Sequence, residues 1–121
     1  MPKRVLIVED EQLLGLMLAE EVKGMGCEVT AVVTTGHAAM RSVRHDPPDG
    51  VLMDISLAGV LDGIETARMI KAGHDVPILF FTGYYQNRQL LDQARTVCPV
   101  GIVDKLDSLE NIRAAISSLL R

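Results

Sequence analysis

Tryptophan is absent from this chain of 121 residues, and aromatic residues make up only 3% of it. Hydrophobic residues nevertheless reach 48%, so the core must be aliphatic, built from Val, Ile, Leu, Met and Ala. A chain of this length forms one domain and can bury such a core. No apolar run approaches the roughly 20 residues that span a membrane. Nor is there a signal peptide, because Glu9, Asp10 and Glu11 cut off the apolar stretch after Lys3 and Arg4. A cytoplasmic protein without membrane contact is therefore expected. The two cysteines, Cys27 and Cys98, have neither CxxC nor Cys/His metal spacing, and both are expected to be buried free thiols. Lys and Arg form no tract and the formal net charge is −4, which argues against direct nucleic-acid binding through a basic face.

What is present is a regular alternation. Residues 4–8 are apolar and β-branched and end in Glu9-Asp10-Glu11, a buried strand with an acidic mouth. A helix follows with Leu14, Met17, Leu18, Val22 and Met25 on one face, and Gly26 as its stop. Residues 27–33 read as a second strand, and Thr35 caps a short helix carrying Ala39, Met40 and Val43. Val51-Leu52-Met53-Asp54-Ile55 is apolar enough to be a strand buried on both faces, and it delivers a carboxylate at its end. Asp62-Gly63 opens a third helix with Ile64, Ala67 and Ile70 spaced by threes. Residues 76–81 form a fourth strand ending in Thr82-Gly83, and residues 87–95 a helix with a weak apolar face at Leu90, Leu91 and Ala94. Residues 100–103 form a fifth strand ending in Asp104-Lys105. The last helix has a stripe of Leu109, Ile112, Ile116, Leu119 and Leu120, with Asp107 and Glu110 spaced as a capping box. Met17, Met25, Met40, Met53 and Met69 read as core filling, and His37, His45 and His74 as surface residues.

Five strands alternating with five helices define an α/β domain, a doubly wound five-stranded parallel sheet with helices on both faces. In a parallel sheet the strand ends share one rim. Here that rim collects Glu9, Asp10, Asp54, Thr82 and Lys105. A buried unpaired carboxylate is costly, and carboxylates this close repel. Oxygen ligands without His or Cys point to a hard divalent ion, Mg²⁺ above all. A metal, a lysine and a free carboxylate suit phosphoryl chemistry, with Asp54 as nucleophile.

Val8-Glu9-Asp10-Glu11, Leu52-Met53-Asp54, Asp62-Gly63, Phe81-Thr82-Gly83 and Asp104-Lys105 occur in this order, each ending a strand or opening a helix. In these fragments the chain resembles a response regulator receiver domain of two-component phosphorelay systems, over essentially its whole length. The resemblance implies a flavodoxin-like (βα)5 fold with strand order 2-1-3-4-5. It implies that Asp54 accepts a phosphoryl group from a sensor histidine kinase or a histidine phosphotransfer protein. Asp10 would bind Mg²⁺ directly and Glu9 directly or through water, together with Asp54 and the backbone carbonyl of Ser56. Thr82 and Lys105 would contact the phosphoryl oxygens, and Thr82 would move when they arrive. The output partner is unspecified, and pairing of two copies through the fourth helix, fifth strand and fifth helix, with Arg95, Asp104 and Arg113, is compatible with the family. The whole chain, 1–121, reads as a single receiver without an output domain, a signalling switch rather than a conventional enzyme.

The chain departs from the family pattern at three places. Ala58 stands where a proline is common, and the loop from Asp54 to Asp62 is about one residue longer than usual. Leu106 replaces the proline that follows the lysine, so this peptide bond is expected to be trans. Ile102 stands where the family has its switch aromatic, which moves the expected output to the segment after Thr82, at Tyr84 or Tyr85. Two rival readings remain: a phosphorylation-independent pseudo-receiver that binds partners, and a metal-dependent phosphohydrolase. The latter needs a second carboxylate two residues past Asp54, where this chain has Ser56.

Overall fold

Five apolar runs become the strands β1 (Arg4–Val8), β2 (Glu28–Val33), β3 (Gly50–Asp54), β4 (Ile78–Thr82) and β5 (Gly101–Asp104). Five helices separate and follow them: α1 (Gln12–Gly24), α2 (Gly36–His45), α3 (Gly63–Gly73), α4 (Arg88–Arg95) and α5 (Leu109–Leu119). The structure, a computed structural model, describes residues 1–57 and 59–120, so Ala58, with the proline replacement expected there, lies outside the described residues. All four strand pairings are parallel, in the order β2-β1-β3-β4-β5, as the resemblance implies.

Period-two alternation sends successive residues of each strand to opposite faces. Val5, Ile7, Leu52, Leu79 and Phe81 pack with Leu18, Ala19 and Val22 of α1 and Ile112, Ile116 and Leu119 of α5. Leu6, Val8, Val51, Met53, Ile78 and Phe80 pack on the other side with residues of α2, α3 and α4. Every residue of β3 and β4 is buried, which explains why these two strands carry unbroken apolar runs. The register aligns Val8 with Met53, Asp54 with Phe81 and Thr82 with Asp104, so the strand ends line up. No helix among the described residues is long and apolar enough to cross a membrane.

Several expectations are corrected. The buried face of α1 is Gly15, Leu18, Ala19 and Val22, rotated from the one expected, and Met17 is exposed. The cause is close approach to β2: a Cβ at Gly15 would lie 2.9 Å from Val32 Cγ1, so the helix presents its small residues to the sheet. Met69 and Leu109 are exposed as well. Cys98 is exposed and Cys27 half-buried, because Cys98 sits in the turn after α4 with a left-handed φ of 52°. The α5 cap is Ser108, whose side chain accepts from the Asn111 N–H. Asp107 stands one residue outside that cap and accepts from the Ser108 N–H and from Asn111 Nδ2, so it cannot form a box with Glu110. The caps at Thr35 and Asp62 are as expected. Gly26 follows the end of α1 with φ 83°, and among the described residues no peptide bond is cis. His37 and His45 are exposed and His74 is half-buried.

Candidate functional site

The strand order reverses at β1, whose neighbours β2 and β3 lie on either side. In an open α/β sheet the crevice at such a point is the ligand site. Glu9 follows β1, and its N–H extends the ladder by donating to Val33 O at 2.9 Å. That bond carries the side chain inward, where Glu9 is 1% exposed, and its Oε2 accepts from the Glu11 N–H at 3.3 Å. Asp10, half-buried, lies beside it.

Asp54 ends β3 and is 3% exposed. The Ser56 N–H donates to its Oδ1 at 3.0 Å, while Lys105 Nζ donates to Oδ2 at 3.1 Å. The chain beyond it is pinned twice: Ile55 N–H donates to Phe81 O, and Gly63 N–H to Ile55 O. Thr82 ends β4, buried, and its Oγ1 accepts from the Tyr84 N–H at 2.9 Å. Lys105, just past β5, is positioned by its own N–H on Thr82 O at 3.0 Å.

One ammonium therefore serves two buried carboxylates, for Lys105 Nζ also lies 2.8 Å from Glu9 Oε1. That contact is an ion pair without hydrogen-bond alignment, and Glu9 Oε1 is left buried with no hydrogen-bond partner. Burial, the neighbouring Asp54 carboxylate and Asp10 push the Glu9 carboxyl up to about 7, against the pull of Lys105. Burial works against the Lys105 charge as well, but Glu9 and Asp54 outweigh it and raise its pKa. Carboxylate oxygens of Glu9, Asp10 and Asp54 come within 4.8 Å of one another. Three carboxylates against one ammonium, with an orphaned oxygen among them, fit a hard divalent cation.

Glu9, Asp10, Asp54, Thr82 and Lys105 thus meet at one rim. Ser56 and Tyr84 line the same cleft with Glu11 and Gly83. Ile102 does not join them. It packs against the core under α2, α3 and α4 and borders a separate cavity with Tyr85, Arg95, Cys98 and Pro99. Arg113 and Arg95, expected on a pairing face, are engaged within the chain by Glu21 and Asp92. Gly63 reads in the sequence only as a helix start. Its other role is spatial: a Cβ there would lie 1.9 Å from the Asp54 carbonyl oxygen, and no local pattern encodes that approach.

A flavodoxin-like doubly wound domain with an acidic crevice at its strand reversal is the class that fold and site define. The family model for the response regulator receiver domain matches residues 5–117, and the chain belongs to that family. It is 33% identical over 115 residues to the "Transcriptional regulatory protein PdtaR" of Mycobacterium tuberculosis, a match covering 95% of this chain and 55% of that protein. The chain thus spans about half the length of this relative. Among solved structures it is similar to the signal receiver domain of a modulated diguanylate cyclase from Desulfovibrio desulfuricans, with TM-score 0.89, 33% identity and coverage of 99% of this chain and 94% of that one. The PhyR response regulator receiver domain of Erythrobacter litoralis gives TM-score 0.86, 33% identity and coverage of 98% and 90%.

Proposed function

We propose that this receiver is a phosphoryl-accepting switch, charged on Asp54 in a Mg²⁺-dependent reaction by a sensor histidine kinase or histidine phosphotransfer protein. The observation that carries the reading is Asp54 itself, a buried carboxylate held by Lys105 at 3.1 Å and grouped with two further acids. An Asp54 carboxylate oxygen forms the new bond to phosphorus. The bond from phosphorus to the donor's imidazole nitrogen breaks, and the nitrogen keeps its electron pair. Lys105 orients the nucleophile beforehand and then offsets charge on the phosphoryl oxygens, while Thr82 supplies a hydroxyl donor. Glu9, Asp10, Asp54 and the Ser56 carbonyl would hold Mg²⁺, which supplies charge neutralisation at the transferring group. On this reading the protein works in the cytoplasm through protein contacts, and its only catalysis is of its own phosphorylation and dephosphorylation.

Acetyl phosphate with Mg²⁺ is expected to add one phosphoryl group by intact mass to the wild type. Asp54→Asn, or withdrawal of Mg²⁺, is expected to abolish the adduct. A wild-type protein that binds Mg²⁺ but shows no adduct, even in rapidly acid-quenched samples, would instead be a pseudo-receiver.

Output is assigned to the segment after Thr82. When the Thr82 hydroxyl turns to a phosphoryl oxygen, the Tyr84 N–H loses its acceptor, and the loop into α4 must readjust. Phosphorylation is therefore expected to shift the amide NMR signals of residues 84–95. Shifts confined to α5 would refute this route.

A further inference from the structure

Among the described residues, four polar side chains are buried: Glu9, Asp54, Thr82 and Thr66. The first three meet in the acidic cleft, and the reaction proposed above uses all of them. Thr66 stands apart, in the first turn of α3, and is 0% exposed. Its Oγ1 donates to Asp62 O at 2.7 Å, a carbonyl that already accepts the Thr66 N–H at 3.0 Å. A slot at the start of α2 makes room for the hydroxyl. A Cβ on Gly36 would overlap Thr66 Oγ1 and stand 2.9 Å from Leu61 Cβ.

The carbonyl that Thr66 holds belongs to the same peptide group as the Gly63 N–H. That N–H donates to Ile55 O at 2.8 Å. Ile55 O in turn shares its peptide group with the Ser56 N–H, which donates to Asp54 Oδ1 at 3.0 Å. A hydroxyl, two planar peptide groups and a carboxylate therefore form one unbroken run of hydrogen bonds, all donating in the same direction. Each bond polarises the next group, so a donor at the far end strengthens the donor that reaches Asp54.

We propose that Thr66 is a positioning residue for the phosphoaccepting carboxylate, acting through the Asp62–Gly63 and Ile55–Ser56 peptide groups; this rests on the phosphoacceptor reading above. Lys105 holds Oδ2, and among the described residues the Ser56 N–H is the one donor on Oδ1. Together the two bonds set the plane of the carboxylate. Such fixing matters for a nucleophile, because misorientation of the reacting atom slows attack. Removing the Thr66 hydroxyl weakens the run at its source, while the Thr66 N–H still starts α3 on Asp62 O. Positioning and helix stability can thus be separated.

The test uses the whole chain with Thr66→Val, which keeps the shape, Thr66→Ala, which cannot clash, and Thr66→Ser, which restores the hydroxyl. Two quantities are read: the amide proton shift of Ser56 in the unphosphorylated protein, and the phosphorylation rate at saturating acetyl phosphate and Mg²⁺. Both hydroxyl-free variants are expected to move the Ser56 signal upfield, as a weakened hydrogen bond does. They are also expected to slow phosphorylation roughly three- to tenfold. Thr66→Ser is expected to bring both quantities back near wild type. Thermal melts record the loss of stability that a merely structural hydroxyl would also give. An unchanged Ser56 shift or an unchanged rate in both hydroxyl-free variants overturns the proposal, whatever the melts show. A loss that Thr66→Ser does not recover overturns it as well. No uptake by wild type overturns the phosphoacceptor reading instead, and the run of bonds is then judged on the Ser56 signal, which needs no phosphodonor.

Discussion

Replacing Gly63 with alanine is expected to lower stability by about 3 kcal/mol or more, at or beyond the upper end of the ordinary cost of overpacking a filled interior. The added Cβ would meet the Asp54 carbonyl oxygen at 1.9 Å, the Asp54 carbonyl carbon at 2.8 Å and Ile55 Cα at 2.8 Å. All three are backbone atoms, so no side-chain rotation relieves the clash. Either β3 moves at its end or α3 withdraws. Withdrawal breaks the Gly63 N–H bond to Ile55 O and shifts the Asp62 cap that starts α3. Because Asp54 is the residue displaced, the surviving folded protein is also expected to accept phosphoryl groups more slowly. Gly73→Ala is the control: nothing lies within 4 Å of its Cβ position, and a gain of roughly 0.5–1 kcal/mol is expected from reduced unfolded-state freedom. Thermal and urea melts of both variants decide the matter. A Gly63→Ala protein within about 1 kcal/mol of wild type would show that the close approach is not rigid.

The fold was legible because each strand is an apolar run ending in a polar residue, and α2, α3 and α4 show their buried spacing directly, as α5 does at Ile112, Ile116 and Leu119 though not at Leu109. Asp62, Thr35 and Asn87 are side chains that cap helices by local geometry, which depends only on near neighbours in sequence. The site was legible for a related reason. Parallel strands force their ends together, so residues 45 or 51 positions apart, such as Glu9, Asp54 and Lys105, could be placed on one rim by topology alone.

What could not be read depends on distance through space. The face of α1 is set by how near β2 approaches, and the spacing of Leu14, Met17 and Leu18 competes with that of Gly15, Leu18, Ala19 and Val22. The same blindness hid the exposure of Met17, which faces solvent because α1 turns its small residues inward. It hid the state of Glu9 too. A sequence can place a glutamate near a lysine, but whether their contact satisfies both carboxylate oxygens is a matter of ångströms.

That unsatisfied carboxylate gives the second large expected effect, a pH-dependent instability of the metal-free protein removed by Glu9→Gln. The Glu9 carboxyl titrates at about 7 in the folded protein, against an ordinary value of 4.5. Between those values the folded state holds a proton that the unfolded state has released, so stability falls as pH rises. The contribution is complete below about pH 4.5 and is lost as pH passes through 7, for a total of up to about 3 kcal/mol. Glutamine keeps the shape without the charge. Melts in EDTA from pH 5 to 8 are therefore expected to show wild type losing stability relative to Glu9→Gln across that range, with the difference between the curves isolating this one group. Added Mg²⁺ is expected to reverse the ranking above pH 7, because an ion that binds the folded state stabilises it by mass action and needs its ligands deprotonated. Parallel curves in EDTA would mean that Lys105 already neutralises Glu9 fully. A Glu9→Gln protein stabilised by Mg²⁺ as strongly as wild type would remove Glu9 from the metal site and leave Asp10 and Asp54 to hold it.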